Sequence, residues 1–190
     1  LFFSSIETNS PGEPGICYVM GAGFPETPKP EDNSYSMLEE LRDRATRRNK
    51  CIVKKINAYL PEIAVCYERD ISDSTPAASP TERHIVRAFI SRSKKMFPDV
   101  KKFNGFWAEV LCRPIKDIST GDLEKIIRRC LMKKDGVAYQ QPRPTSFPEI
   151  NSFYKWVRES GAIPMAAWRD GTSPGEANPA TWLEKLETCG

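Results

Sequence analysis

The chain is 190 residues long, 39% hydrophobic and 28% charged, enough for one good core, or a core with a small satellite, since domains usually run ~100–150 residues. No apolar run approaches the ~18–20 residues of a membrane span, and no basic segment precedes Leu1-Phe2-Phe3, so neither a membrane partner nor a secretory signal is expected. The formal net charge of +3 conceals a strong segregation, because residues 34–60 carry seven bases against three acids and residues 81–143 fifteen against seven; such a local field suits an anionic polymer or an acidic partner surface.

Residues 1–33 hold five prolines and four glycines around one apolar patch, Ile16 to Met20. Pro25, Pro28 and Pro30 prevent a continuing helix, so this is predicted to be a loosely packed, proline-rich extended arm that adds at most a short strand at 16–20. Its composition also fits a segment that orders on a protein partner or on self-assembly. From Ser34 the pattern changes to helical spacing: Met37, Leu38, Leu41, Ala45, Ile52, Val53, Ile56, Tyr59 and Leu60 mark one face of a long amphipathic helix that Pro61 ends. Its other face is basic, with Arg42, Arg44, Arg47, Arg48, Lys50, Lys54 and Lys55. Pro61 suits the start of a short helix reaching Arg69, and the small polar residues 71–80 read as a linker.

Ser79-Pro80-Thr81-Glu82 combines a capping residue, a proline suited to the first turn and an acid placed to reach back, which predicts a helix start. Ile85, Val86, Phe89 and Ile90 give that helix its buried side, and it must stop before Pro98. Asn104 is the expected cap of a short aromatic helix through Phe106, Trp107, Val110 and Leu111 that ends before Pro114. Phe and Trp bury ~150–250 Å² each, so Trp107 is expected in the core. Ser119 to Asp122 opens a capped basic helix over 120–134, with Leu123, Ile126, Ile127, Cys130 and Leu131 inside and Gly136 as its stop.

Pro142, Pro144 and Pro148 shape an extended loop that holds Arg143 outward. Ser146 and Glu149 resemble a capping box before a second aromatic helix through Phe153, Tyr154, Trp156 and Val157, ending at Gly161. Residues 163–170 read as a turn or short helix, and Asn178-Pro179 starts a last short helix. The expected fold is therefore all-α, an irregular bundle of six to eight helices behind the arm. Its expected divisions are the arm 1–33, the basic and short helices 34–70, the linker 71–80 and a main helical domain 81–190.

Motifs that carry chemistry are missing. There is no Walker loop, G-x-G-x-x-G, H-E-x-x-H or G-x-S-x-G. Gly21-Ala22-Gly23 lacks the third glycine and the following helix of a phosphate turn. The six cysteines include no C-x-x-C pair and His84 stands alone, so neither a metal site nor a cofactor is expected. Cysteines 51, 66, 112 and 130 lie in apolar or helical patterns, where reduced thiols act as small hydrophobes; a reducing, intracellular compartment is the expectation. A non-enzymatic role follows from the same search.

The order of residues 81–161 resembles the phage helicase-loader proteins typified by the lambda P replication protein. A helix ending in Met96-Phe97-Pro98, a second with Trp107 and Leu111, a capped helix after Ile118-Ser119-Thr120, a loop rich in Pro and Ser at 142–148, and Phe153 to Glu159 carry the likeness. It implies a non-enzymatic adaptor that binds a replicative DNA helicase and helps to place it on single-stranded DNA. It implies that Lys101, Lys102, Lys125, Arg128, Arg129 and Arg143 meet phosphate; independently, the basic face of the 34–60 helix is a candidate contact strip with Arg44, Arg47, Arg48, Lys54 and Lys55, whether for single-stranded DNA or RNA. The competing expectation is a viral nucleoprotein or structural assembly subunit whose arm orders on self-association.

Overall fold

A computed structural model describes residues 6–7, 18–26, 28–32, 34–75, 80–141, 147–168 and 178–188. It divides into two compact units, Arg42–Gln141 and a second built from the flanking segments Leu1–Leu41 and Pro142–Gly190. These boundaries fall within the first helix and after Gln141, not in the segment 71–80 expected to link domains.

The described elements are mostly helical, with a small antiparallel sheet, so the fold is not strictly all-α. Six α-helices are described: α1 (Tyr35–Tyr59), α2 (Glu82–Met96), α3 (Val100–Val110), α4 (Thr120–Met132), α5 (Ile150–Glu159) and α6 (Pro179–Thr188). The strands are β1 (Ile6–Glu7), β2 (Tyr18–Ala22) and β3 (Ile163–Ala167), in the order β1-β2-β3.

In the 42–141 unit the C-terminal half of α1 supplies Ile52, Val53, Ile56 and Leu60 to the core. Ala45 and Tyr59, assigned to the same face by spacing, are exposed. Pro61 ends α1 as expected, but it opens only a 3-10 turn, Pro61–Ile63, and a separate π-helical turn follows at Glu68–Ser72. The Asn57 side chain stops these residues from continuing as one helix: its amide donates to Val65 O at 2.8 Å and accepts from Val65 N at 3.0 Å, pinning the returning backbone. Ile71 is buried in the core, so residues 71–75 are packed structure and not a linker.

The core continues through Val86, Phe89, Trp107, Ile127 and Met132 from α2, α3 and α4. Trp107 is fully buried, and its indole N–H donates to Ser93 Oγ at 3.0 Å, while Ser93 donates to Ile90 O at 2.9 Å. Each polar atom is thus satisfied, as burial demands. Helix α3 starts a turn earlier than expected because Asp99, immediately after the helix-stopping Pro98, accepts from Lys102 N at 2.9 Å; Asn104 lies inside the helix. Ser119 caps α4 as predicted. At its other end Asp135, not Gly136, holds the left-handed conformation (φ 71°). Gly136 is needed for close approach instead, since a Cβ there would lie 2.6 Å from the Leu131 carbonyl carbon.

In the flanking unit Val19 and Phe24 pack with Leu38, Phe153, Trp156 and Val157. The segment 18–24 is therefore a packed strand and turn, not a loose arm. Residues 163–167, expected as a turn or short helix, form a strand whose register pairs Tyr18 with Ala167 and Gly21 with Pro164. Pro164 is compatible because β3 is an edge strand. Helix α5 begins at Ile150, with Glu149 at the cap position and no side-chain bond there; Ser146, its expected cap, lies outside the described residues. Gly161 ends α5 with a positive φ of 70°, and Asn178 Oδ1 accepts from Ala180 N at 3.0 Å to open α6.

Candidate nucleic-acid interface

Ten of the eleven cations singled out by sequence lie in the described part of the 42–141 unit, and Arg143 lies outside the described residues. That unit has twenty-two Lys and Arg against twelve Asp and Glu, a net +10, whereas the flanking unit has six against thirteen, a net −7. The positive charge of the chain therefore resides in one folded body.

How that charge is used depends on Glu82. Helix α2 begins at this residue, with Thr81 at the cap, two positions later than Ser79-Pro80 suggested. His84, not Glu82, makes the reach-back contact: its Nδ1 accepts from Thr81 N at 3.0 Å, which places a neutral ring's proton on Nε2. Pro80 O is occupied by a bond of 2.7 Å from Asn49 Nδ2, which ties α1 to the start of α2. Glu82 is thereby free to turn inward, where only 8% of its surface is exposed.

Three cations meet it there. Arg48 Nη2 donates to Oε1 at 2.6 Å, Arg128 Nε to Oε2 at 2.5 Å, and Lys133 Nζ lies 3.2 Å from Oε2. Burial raises the pKa of the Glu82 carboxyl, but the hydrogen bonds from Arg48 and Arg128 outweigh it and hold the group at about 2. The carboxylate is thus ionised at neutral pH and joins α1, α2 and the end of α4.

This cluster reassigns part of the predicted interface. Arg48 and Arg128 are internal ties, not free phosphate ligands. Lys55 donates to Tyr139 O at 3.0 Å and Lys125 pairs with Asp122 at 2.9 Å. Arg44 is half-buried and already engaged within the fold. Of the predicted cations, those that are exposed with neither an ion pair nor a side-chain hydrogen bond to a described residue are Arg47 and Lys54 on α1, Lys101 and Lys102 on α3, and Arg129 on α4. Arg47 and Lys54 are seven residues apart and share one side of α1.

Sequence reasoning missed the roles of Glu82 and Lys133. The one available signal was an isolated acid in a strongly basic segment; partners 34 and 46 residues away have no local signature. The thiols also differ from expectation, with cysteines 51, 66 and 112 exposed and Cys130 half-buried.

Among the described residues no group of three or more His, Cys, Asp or Glu is placed to hold a metal ion, and no helix is long and apolar enough to cross a membrane. Comparison with family models, with characterised proteins and with solved structures yields no match.

Proposed function

We propose that the 42–141 unit is the nucleic-acid-binding body of a non-enzymatic adaptor, in keeping with the resemblance of residues 81–161 to phage helicase loaders. One observation carries this reading. A unit with net charge +10 leaves Arg47, Lys54, Lys101, Lys102 and Arg129 exposed, while six of its twelve acids, Glu68, Asp70, Glu82, Asp99, Asp122 and Glu124, are taken up by caps and ion pairs. Exposed Lys and Arg of this kind neutralise phosphates without reading sequence. The aromatic residues Trp107 and Trp156 hold their own cores instead, and stacking on bases is not assigned to them.

The test is binding of a fluorescent oligo(dT) strand by anisotropy across a salt series. Log affinity should fall linearly with log salt, with a slope of roughly −0.7 for each phosphate neutralised. Salt-independent binding, or none at low salt, overturns the proposal. If light scattering shows large assemblies forming without nucleic acid, the structural assembly subunit becomes the better reading. Co-elution with a replicative helicase is the corresponding test of the loader role.

A further inference from the structure

Where α2, α3 and α4 meet, the basic unit carries an open groove of about 220 Å³ lined by Ile90, Lys94, Val100, Phe103, Ile118 and Leu123 among others. Its walls are mainly branched aliphatic, and Val100 at its edge is 70% exposed, the most exposed large apolar residue described. Met96, one turn before α3, is also 46% exposed. Exposed apolar surface rimmed by charge marks an interaction site more often than isolated apolar residues do.

The one charged side chain that lines the groove is a lysine. Lys94 lies in the groove with its ammonium 6.0 Å from the Phe103 ring centroid, Lys101 follows Val100, and Lys116 follows Ile115. The acids of the same segments are mostly engaged: Asp99 caps α3, Asp122 pairs with Lys125, and Glu124 pairs with Arg87 at 2.9 Å. Asp117 beside Ile118 and Glu109 on α3 are the acids left exposed. An occupant must therefore bring both an apolar anchor and carboxylates.

We infer that this groove is a docking site for a short acidic peptide segment of a partner protein, carrying a short apolar anchor. The volume lies below the ~300–1,000 Å³ usual for small-molecule sites and suits a single anchoring side chain with its neighbours. Nucleic acid would satisfy the lysines but would leave the aliphatic wall unused, because bases stack on open aromatic faces. The Phe103 face here is covered by Lys94. The inference concerns a protein partner and stands independently of the phosphate-binding reading.

The test uses the full chain and a fluorescein-labelled peptide with a central Leu-Phe pair flanked by aspartates, against a control with Ser-Ser at the centre. Removing the anchor pair should weaken binding at least ~10-fold. Val100→Asn should do the same, as should Lys94→Gln, with unchanged circular dichroism and unchanged oligo(dT) affinity for Val100→Asn. The inference is overturned if the peptide fails to bind at ~1 mM, the weak limit of a useful contact, or if the Ser-Ser control binds equally well. It is also overturned if Val100→Asn leaves peptide binding intact or weakens oligo(dT) as much as peptide, which would assign the groove to nucleic acid.

Discussion

Arg48 Nη2 lies 2.6 Å from Glu82 Oε1, joining a residue of the long basic helix to the first residue of α2 across 34 positions of sequence. An arginine that sequence places on a solvated basic face is thus part of the fold, and its carboxylate partner also holds Arg128 and Lys133. Glu82→Ala should cost about 1–3 kcal/mol, because it removes the carboxylate shared by three cations that are themselves about a third exposed and so partly compensated by water. Urea unfolding at pH 7 measures it.

The same carboxylate makes stability depend on pH. Its folded pKa of about 2 lies below the ordinary glutamate value of ~4.3. Its contribution is therefore fully present above the unfolded value and is lost as pH falls from about 5 towards 2. Asp70, held at about 2 chiefly by its hydrogen bond from Arg69, titrates in the same direction. Urea midpoints of the wild type should fall across this window, and Glu82→Gln should flatten the fall. An equal slope in both proteins would refute the assignment.

Ser93→Ala removes the acceptor of the Trp107 indole N–H inside the core. An unsatisfied buried donor costs about 1–3 kcal/mol, so the variant should unfold at lower denaturant although it loses only one oxygen. Differential unfolding followed by Trp fluorescence checks it.

Gly136→Ala should destabilise by about 1–3 kcal/mol through overpacking, since the added Cβ would meet the backbone of Cys130 and Leu131 at 2.6–2.7 Å, where no side chain can move aside. The loss should appear in thermal unfolding without a change in helix content.

Binding and folding should separate by residue. Lys54→Ala and Arg129→Ala, at exposed cations, should leave stability within about 0.5 kcal/mol and each reduce the magnitude of the oligo(dT) salt slope by roughly 0.7. Arg128→Ala should lower stability first, because it releases one side of Glu82. Anisotropy and urea titration on the same samples distinguish the two classes.

Local signals sufficed wherever a helix was bounded by its own residues. Pro61 ended α1, Ser119 capped α4, Gly161 closed α5 and Asn178-Pro179 opened α6, because caps and breakers act within one or two turns of chain. The helical spacing of Phe89 and Trp107 likewise located core residues directly. For α3 the expected cap Asn104 lies inside the helix, because Asp99, five residues earlier, takes the cap position.

The strand at 163–167 and the fate of the positive charge belonged to tertiary structure. Ile163 to Ala167 extends because β2 offers a pairing edge more than 140 residues earlier, a partner with no trace in local periodicity. The bases of α1 and α4 look alike in sequence, yet Arg48 and Arg128 turn inward while Arg47 and Arg129 remain outside. Sequence alone determined that this chain is rich in helix and locally basic. Only the fold decided which of those charges a buried carboxylate claims and which remain exposed, because Coulombic pairing depends on distances through space and not along the chain.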